Sequence, residues 1–146
     1  MQLPTIMDAI TLHRPWPSAI FDLPPGVAKN IENRSWPPPG DIIGTRIAIH
    51  AGIEWDQAGA ELIEELTGQR FYSFNCPRGV VGTVIVRRVI HPRTGETDIR
   101  WWNPEYYGWF LAQPIRFDHP RPATGKQGVW TWRPHQKTRD PQLTLL

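Results

Sequence analysis

The sequence predicts an α+β protein with five or six strands around a small β-barrel, one main helix and short flanking helices. Proline accounts for 16 of the 146 residues, roughly twice its usual share of about 5%, which favours strands joined by rigid turns over long helices. Several segments alternate apolar and polar residues, as strands do, while one long segment has helical periodicity. The order of these segments contains no βαβ repeat, so a parallel doubly wound sheet is not expected.

The first third of the chain contains two predicted strands with a short helix between them. Residues 8–13 alternate apolar and polar side chains, which predicts the first strand. Pro15 and Pro17 follow at once, and prolines fit the first turn of a short helix. Residues 31–36 form the next predicted strand, which ends at the triple proline 37–39.

The middle of the chain predicts a strand at 44–51 and the main helix at 54–66. Gly68 follows the helix, where a glycine suits the left-handed position after the last turn. Acidic residues at the start of the segment favour the helix N-terminus. The apolar residues at helical spacing predict the buried stripe of this helix; they are Trp55, Ala58, Leu62, Ile63 and Leu66.

The second half predicts three more strands. Residues 79–90 are β-branched and nearly continuous in their apolar character, so this should be the most buried strand. Gly82 inside it indicates a bulge or a close approach of another backbone. Residues 109–117 alternate again, and residues 125–132 form the last predicted strand. We expect one domain over residues 1–133 and a flexible tail over residues 134–146, where the chain is polar and patternless.

Charge and cysteine content narrow the classes of function. Cys76 is the single cysteine, which excludes an internal disulfide and a multi-cysteine zinc site. Residues 54–66 hold five acids and no base, so the rest of the chain carries 16 bases against nine acids. This excess of positive charge allows a basic surface that binds phosphates, although charged surface residues more often only keep a protein hydrated. No targeting segment or long apolar run is present, so we expect a cytoplasmic protein without membrane contact.

The segment 26–36 concentrates the most chemistry in the fewest residues. If residues 31–36 are extended, Glu32, Arg34 and Trp36 share one face. They supply a hydrogen-bond acceptor, a forked donor and a flat stacking surface, which together suit a planar polar ligand such as a nucleobase. The alternative interpretation is a surface Glu–Arg pair beside a core tryptophan.

Two other side chains are candidates for the same site. His50 ends the polar face of its strand, where sites often lie, although a lone histidine is more often a hydrogen-bonded structural residue. Lys126 lies in the Gly-Lys-Gln-Gly segment 125–128 and is available to a phosphate, but this segment lacks the other residues of a phosphate-binding loop. Metalloprotease, nucleophile-elbow and histidine-pair metal motifs are also missing. We therefore expect no metal and no cofactor.

Several segments, taken in order, resemble the ASCH domain, a branch of the PUA-like superfamily. The resemblance covers about residues 8–132, and the helix directly after Ile-His-Ala is similar to the layout of one subgroup. The segments that carry it are Arg14-Pro15-Trp16-Pro17-Ser18, Gly26 with Lys29-x-x-Glu32-x-Arg34-Ser35-Trp36, Ile47-Ala48-Ile49-His50-Ala51, Tyr107-Gly108-Trp109 and Gly125-Lys126-Gln127-Gly128-Val129-Trp130.

The resemblance implies a PUA-like β-barrel with a cleft that binds RNA or a modified nucleotide. Position by position, it places Lys29, Glu32 and Arg34 along the cleft. It places four further residues beside them as neighbours in the nucleotide-binding site: Trp16, Ser18, Trp36 and His50. Glu32 would accept from an exocyclic amine, the cations would hold carbonyl or phosphate oxygens, and an indole would stack on the base.

The same resemblance is also compatible with an enzymatic function. One branch of the family removes the acetyl group from N4-acetylcytidine with a pattern resembling Lys-x-x-Thr-x-Arg, whose threonine is the nucleophile. Glu32 stands at that position here, so this hydroxyl is absent. Other members are metal-independent ribonucleases. If this chain is a hydrolase on RNA or on an N4-acylated cytidine, Lys29 and Glu32 are its catalytic acid and base; otherwise they form a structural ion pair.

A third interpretation is a protein-interaction module. It would use exposed aromatic residues of the segment 99–108, namely Trp101, Trp102 and Tyr106. Aromatic side chains are enriched at the centres of protein interfaces, so a protein partner is compatible with this stretch.

Overall fold

The computed structural model describes residues 2–96 and 98–136 and confirms the α+β class. It contains six strands, two α-helices and one 3₁₀ helix. In chain order these are β1 (Met7–Arg14), α1 (Trp16–Phe21), β2 (Ile31–Arg34), β3 (Arg46–Trp55), α2 (Gln57–Thr67), the 3₁₀ helix (Ser73–Asn75), β4 (Gly79–Ile90), β5 (Tyr107–Arg121) and β6 (Trp130–Trp132).

All six strands belong to one mixed sheet with the order β2-β5-β4-β3-β1-β6. β1 and β3 are parallel, and the other neighbours are antiparallel. The sheet is open, because no ladder joins its edges β2 and β6 within the described residues. The prediction of a small β-barrel is therefore wrong in that the sheet does not close. Both edges are short, four residues in β2 and three in β6, so each has little backbone with which to pair.

The main core forms where inward-facing residues of four neighbouring strands meet α1. Alternation along each strand sends every second side chain to this face. Full burial of one such aliphatic side chain contributes about 1.5–3 kcal/mol. The buried members from the strands are Ile10, Leu12, Ile47, Ile49, Val84, Val86, Trp109 and Leu111, and Ile20 joins them from α1.

β4 confirms two predictions from the sequence. It spans Gly79–Ile90, and most of its residues are buried. Gly82 lies at a close approach: a Cβ atom there would stand 2.5 Å from the carbonyl oxygen of Ile115 and 2.7 Å from the ring of Phe21. The β4–β5 register shifts next to it. A larger residue at 82 would therefore push β5 and α1 away from β4.

α2 begins later than predicted because β3 continues through Trp55. Asp56 caps the helix, and its Oδ1 accepts a hydrogen bond of 2.8 Å from the main-chain N–H of Gly59. At the other end Gly68 adopts φ 78° and its N–H donates to the carbonyl of Glu64. The predicted left-handed C-terminal glycine is confirmed.

The predicted apolar stripe of α2 is only partly right. Ile63 is buried, but Ala58, Leu62 and Leu66 are exposed. The helix packs instead through Gly59, Ala60 and Ile63. The physical reason is the indole of Trp16, which lies so close that a Cβ atom on Gly59 would stand 2.7 Å from it.

The aromatic residues proposed as a protein-binding surface are mostly in the core. Trp101 and Trp102 are buried, whereas Tyr106 is 41% exposed. The prediction that all three are exposed is wrong, because the segment 99–102 folds back onto β2. Asn33 of that strand donates a 2.8 Å hydrogen bond to the carbonyl of Trp101.

The two ends of the described chain lie together. Nε2 of His135 and the carbonyl oxygen of Leu3 are 2.8 Å apart. Residues 137–146 of the predicted tail lie outside the described residues, so its flexibility stays a prediction. None of the helices in residues 2–96 and 98–136 is long and apolar enough to cross a membrane.

Candidate functional site

One large cleft gathers most of the residues singled out by the sequence. Its volume is about 1250 Å³, and it lies between β2, the ends of β1 and β3, and the loop 122–128 that leads into β6. Seven of the eight predicted nucleotide-binding residues line it: Trp16, Lys29, Glu32, Arg34, Trp36, His50 and Lys126.

The pairing of β2 with β5 positions the acidic and basic groups of the cleft. Glu32 lies opposite Trp109 in the antiparallel ladder, and Arg34 lies opposite Tyr107. Because β2 is extended over these residues, Glu32 and Arg34 share a face, as predicted. Their side chains meet, with Nη1 of Arg34 donating to Oε2 of Glu32 at 3.1 Å.

Lys29 completes an ion triad, a name we use for Lys29, Glu32 and Arg34. Its Nζ lies 3.4 Å from Oε1 of Glu32 and also donates to the carbonyl of Ile31. The residue is only 4% exposed. Burial lowers the pKa of Lys29 below its usual 10.5; the charge of Glu32 opposes this effect, and that of Arg34 adds to it.

Two indoles hold the guanidinium of Arg34 in place. Its Cζ lies 5.6 Å from the ring centre of Trp109 and 5.8 Å from that of Trp36. Contacts of this kind stabilise a cation over an aromatic face. Within the described residues Glu32 is the sole hydrogen-bond partner of this side chain. The other N–H groups of Arg34 therefore remain for a ligand.

Trp16 forms another side of the cleft, and a residue that the sequence did not single out fixes its position. Its Nε1 donates a 2.8 Å hydrogen bond to Oδ2 of Asp56, the same carboxylate that caps α2. Nζ of Lys29 lies 5.0 Å from the centre of the Trp16 ring. The edge of Trp101 meets Trp16 at 6.4 Å and 85°.

Trp36 lies just beyond the end of β2, because the strand ends at Arg34 rather than at 36 as predicted. Its indole is 49% exposed. The carbonyl of Trp36 accepts a 3.2 Å hydrogen bond from Nε1 of the buried Trp109, which anchors the backbone. Trp36 is therefore the indole of the cleft with the most free surface for stacking.

His50 is a buried histidine of β3, and its two ring nitrogens have different surroundings. Its Nε2 lies 2.9 Å from the carbonyl oxygen of Ala123. A carbonyl only accepts, so Nε2 carries the proton and Nδ1 is left as an acceptor. Nδ1 is buried and has no partner among the described residues. Burial lowers the pKa of His50 below 6.5, against the opposing effect of the bond to Ala123.

Ser18 is the predicted site residue that does not reach the cleft. It is buried in α1 and lines a separate cavity of about 10 Å³ together with Arg14 and Asp22. Ser18 also lies near Cys76, and burial raises the pKa of the Cys76 thiol, an effect that Ser18 opposes. Helix α1 thus points Trp16 and Ser18 in different directions.

The structure adds residues to the site that sequence reasoning missed. Thr11 of β1 and Arg78, just before β4, both line the cleft. Asp56 positions Trp16, as described above. The position of Arg78, a basic residue immediately before a buried strand, is only a weak signal in the sequence. Nothing in the sequence pairs Asp56 with a tryptophan forty positions earlier.

The charge of the cleft favours an anionic ligand with a polar, flat part. Among its lining side chains, Glu32 is the single carboxylate, against four cations: Lys29, Arg34, Arg78 and Lys126. The described residues contain no group of three or more His, Cys, Asp or Glu side chains arranged to hold a metal ion. The cleft can hydrogen-bond, stack and neutralise negative charge.

Comparison with protein-family models found no match for this chain, and comparison with curated proteins found none either. Function has to be inferred from the geometry and chemistry of the cleft.

Proposed function

We propose that this chain is a PUA-like ASCH domain that binds RNA or a modified nucleotide in the cleft. The observation that carries the proposal is the ion triad: Glu32 lies between Lys29 and Arg34, next to the exposed indole of Trp36. The resemblance of the segment 29–36 to the ASCH pattern supports the same ligand class.

The chemistry of the triad matches the edge of a nucleobase. Each oxygen of Glu32 has one cation as a neighbour, and the remaining lone pairs can accept from an amino or imino group of a base. The free N–H groups of Arg34 can donate to an adjacent carbonyl oxygen. Trp36 offers a stacking face, and stacking of a base on an aromatic side chain contributes about 1–3 kcal/mol.

Arg34→Ala tests the proposal directly. A thermal-shift and mass-spectrometry screen against normal and modified nucleosides and short RNAs would first identify a stabilising ligand. We then expect Arg34→Ala to weaken its binding about tenfold or more, since the forked donor and the cation beside the Trp36 indole are lost. Arg34→Lys should recover part of the affinity, because it keeps the charge and loses the fork.

Arg70→Ala is the matched control. Arg70 also combines an ion pair, 2.9 Å to Glu64, with an aromatic contact, 5.8 Å to the ring of Tyr72. It is exposed and lies outside the cleft, so its loss should leave binding unchanged. Equal affinity of wild type and a folded Arg34→Ala variant would remove the triad from the proposal.

A second candidate is a hydrolase acting on RNA or on an N4-acylated cytidine. The observation that favours it is Lys29, whose pKa is lowered by burial while it contacts Glu32. A neutral amine could accept a proton from an attacking hydroxyl or water. Ser18 does not reach the cleft, so no nucleophilic role follows for its hydroxyl.

Product analysis separates the two candidates. For a hydrolase, mass spectrometry would find a smaller product with wild type and none with Lys29→Met, which keeps the length of the side chain and removes the amine. Recovery of the intact ligand would assign binding alone. A product that persists with Lys29→Met would come from a contaminant or another site and would exclude Lys29 as the base.

A further inference from the structure

The loop 122–128 is docked onto the sheet by contacts that only a glycine at 125 permits. A Cβ atom on Gly125 would stand 2.5 Å from Oγ1 of Thr11 and 2.6 Å from Nδ1 of His50. His50 also donates to the carbonyl of Ala123. Contacts with β1 and β3 therefore fix the position of the loop along the cleft.

The main chain of this loop has unused donors. The N–H groups of residues 124–128 donate no hydrogen bond to any group in residues 2–96 and 98–136. A main-chain N–H group without a protein partner can donate a hydrogen bond to an anionic oxygen. Gly128 adopts φ 67°, a left-handed conformation that turns the chain at the end of this stretch.

Two of the cations that line the cleft have no acidic partner among residues 2–96 and 98–136. Lys126 belongs to the loop, and Arg78 lies before β4; both line the cleft and are exposed. Neither forms an ion pair with a described carboxylate. Lys29 and Arg34, by contrast, share Glu32. Most of the excess positive charge of the cleft therefore lies with Arg78 and Lys126, because Glu32 offsets one of the two triad cations.

The cleft is also larger than one base requires. Its volume of about 1250 Å³ exceeds the roughly 300–1,000 Å³ of most small-molecule pockets. A base held at the ion triad would leave the region beside the loop for the rest of the ligand.

We infer that Arg78, Lys126 and the main-chain N–H groups of residues 124–128 form a phosphate subsite, so that the ligand carries phosphate and is more than a free nucleoside. We call these residues the loop wall. The inference rests on the proposed function, because the base end of the ligand is assigned to the ion triad. The phosphate belongs either to a single nucleotide or to an RNA strand.

Binding measurements with three kinds of probe test the subsite. The probes are the four ribonucleosides, their 5′-monophosphates and an eight-nucleotide single-stranded RNA of mixed sequence, each titrated at several salt concentrations. We expect wild type to bind at least one phosphate-bearing probe more tightly than the nucleosides. A gain with the monophosphate assigns the phosphate to a nucleotide, and a gain with RNA alone assigns it to a strand.

The variant Arg78→Ala/Lys126→Ala should remove that gain and leave nucleoside binding unchanged. For RNA, the slope of log K against log salt should become shallower by roughly 0.7 for each lost phosphate contact. Gly125→Ala should also reduce the tighter binding of phosphate-bearing probes, because the added Cβ atom forces the loop to move. The matched controls are Arg87→Ala, an exposed arginine of β4 outside the cleft, and Gly40→Ala, where a Cβ atom meets nothing within 4 Å.

Three outcomes would overturn the inference. Equal binding of nucleosides and phosphate-bearing probes would exclude the phosphate subsite while leaving the proposed function in place. If phosphate-bearing probes still bind more tightly than nucleosides in Arg78→Ala/Lys126→Ala and Gly125→Ala, the phosphate binds elsewhere. Failure of wild type to bind any of these probes, together with failure to bind any modified nucleoside of the thermal-shift screen, would overturn both this inference and the proposed function.

Discussion

The cleft has two charged walls that differ in how their charges are held. The ion triad is nearly buried, and each of its cations has Glu32 as a partner. The loop wall has exposed cations, Arg78 and Lys126, with no described partner. Removing one charge from the triad leaves the other charges uncompensated in a poorly hydrated place, whereas the loop wall has no such dependence. We therefore expect the triad cations to matter for both stability and binding, and the loop-wall cations for binding alone.

Glu32→Ala should produce the largest effect on stability. It leaves two cations close together without their carboxylate, so we expect the free energy of unfolding to fall by about 3 kcal/mol, the lower end of the range for breaking a buried pair. Glu64→Ala, which breaks the exposed pair with Arg70, should lower it much less, because water screens this pair. Urea denaturation of both variants measures the difference, and equal losses would contradict the distinction between buried and exposed pairs.

Lys29→Met tests the burial of the triad through the pH dependence of the free energy of unfolding. Burial lowers the pKa of Lys29 in the folded state below 10.5, so the unfolded chain binds more protons between these two pKa values. The free energy of unfolding should therefore rise with pH over this window. When wild type and Lys29→Met are denatured in urea at several alkaline pH values up to 10.5, the variant should lack this rise. Parallel curves would show that Lys29 has the same pKa in both states.

His50→Gln should give a smaller effect, on the acidic side. Burial lowers the pKa of His50 below 6.5, so the unfolded chain takes up a proton that the folded chain does not. Wild-type stability should therefore fall as the pH drops below 6.5 toward the folded pKa. We expect a weaker fall in His50→Gln, with the exposed His119→Gln behaving as wild type. A fall of the same size in all three proteins would assign it to other groups.

Arg78→Ala and Lys126→Ala should have the smallest effect on the fold. Exposed side chains without partners usually change stability by no more than about 0.5 kcal/mol. Thermal unfolding of each single variant beside wild type measures this. A loss above about 1 kcal/mol would mean that the loop wall supports the fold as the triad does, and the contrast between the walls would disappear.

Much of the triad side of the cleft could be predicted from residue order alone. Alternation in a strand has a period of two, so Glu32 and Arg34 had to share a face once β2 was recognised, and their 3.1 Å contact confirms it. Trp36 reaches the same cleft although the strand ends two residues earlier, so its position there depends on the chain after β2. On α2, periodicity identified apolar residues but not the side that Trp16 would cover, and Leu62 is exposed as a result.

The sequence by itself determined the local features: the α+β class, the extent of β4, the glycine that ends α2 and the shared face of β2. These depend on neighbours a few residues apart, through backbone sterics and side-chain period. Tertiary structure decided that the sheet stays open, that Ser18 faces away from the cleft, and that Gly125 comes to lie on Thr11, 114 positions earlier. Contacts between residues so far apart follow from strand order, and no local pattern encodes strand order.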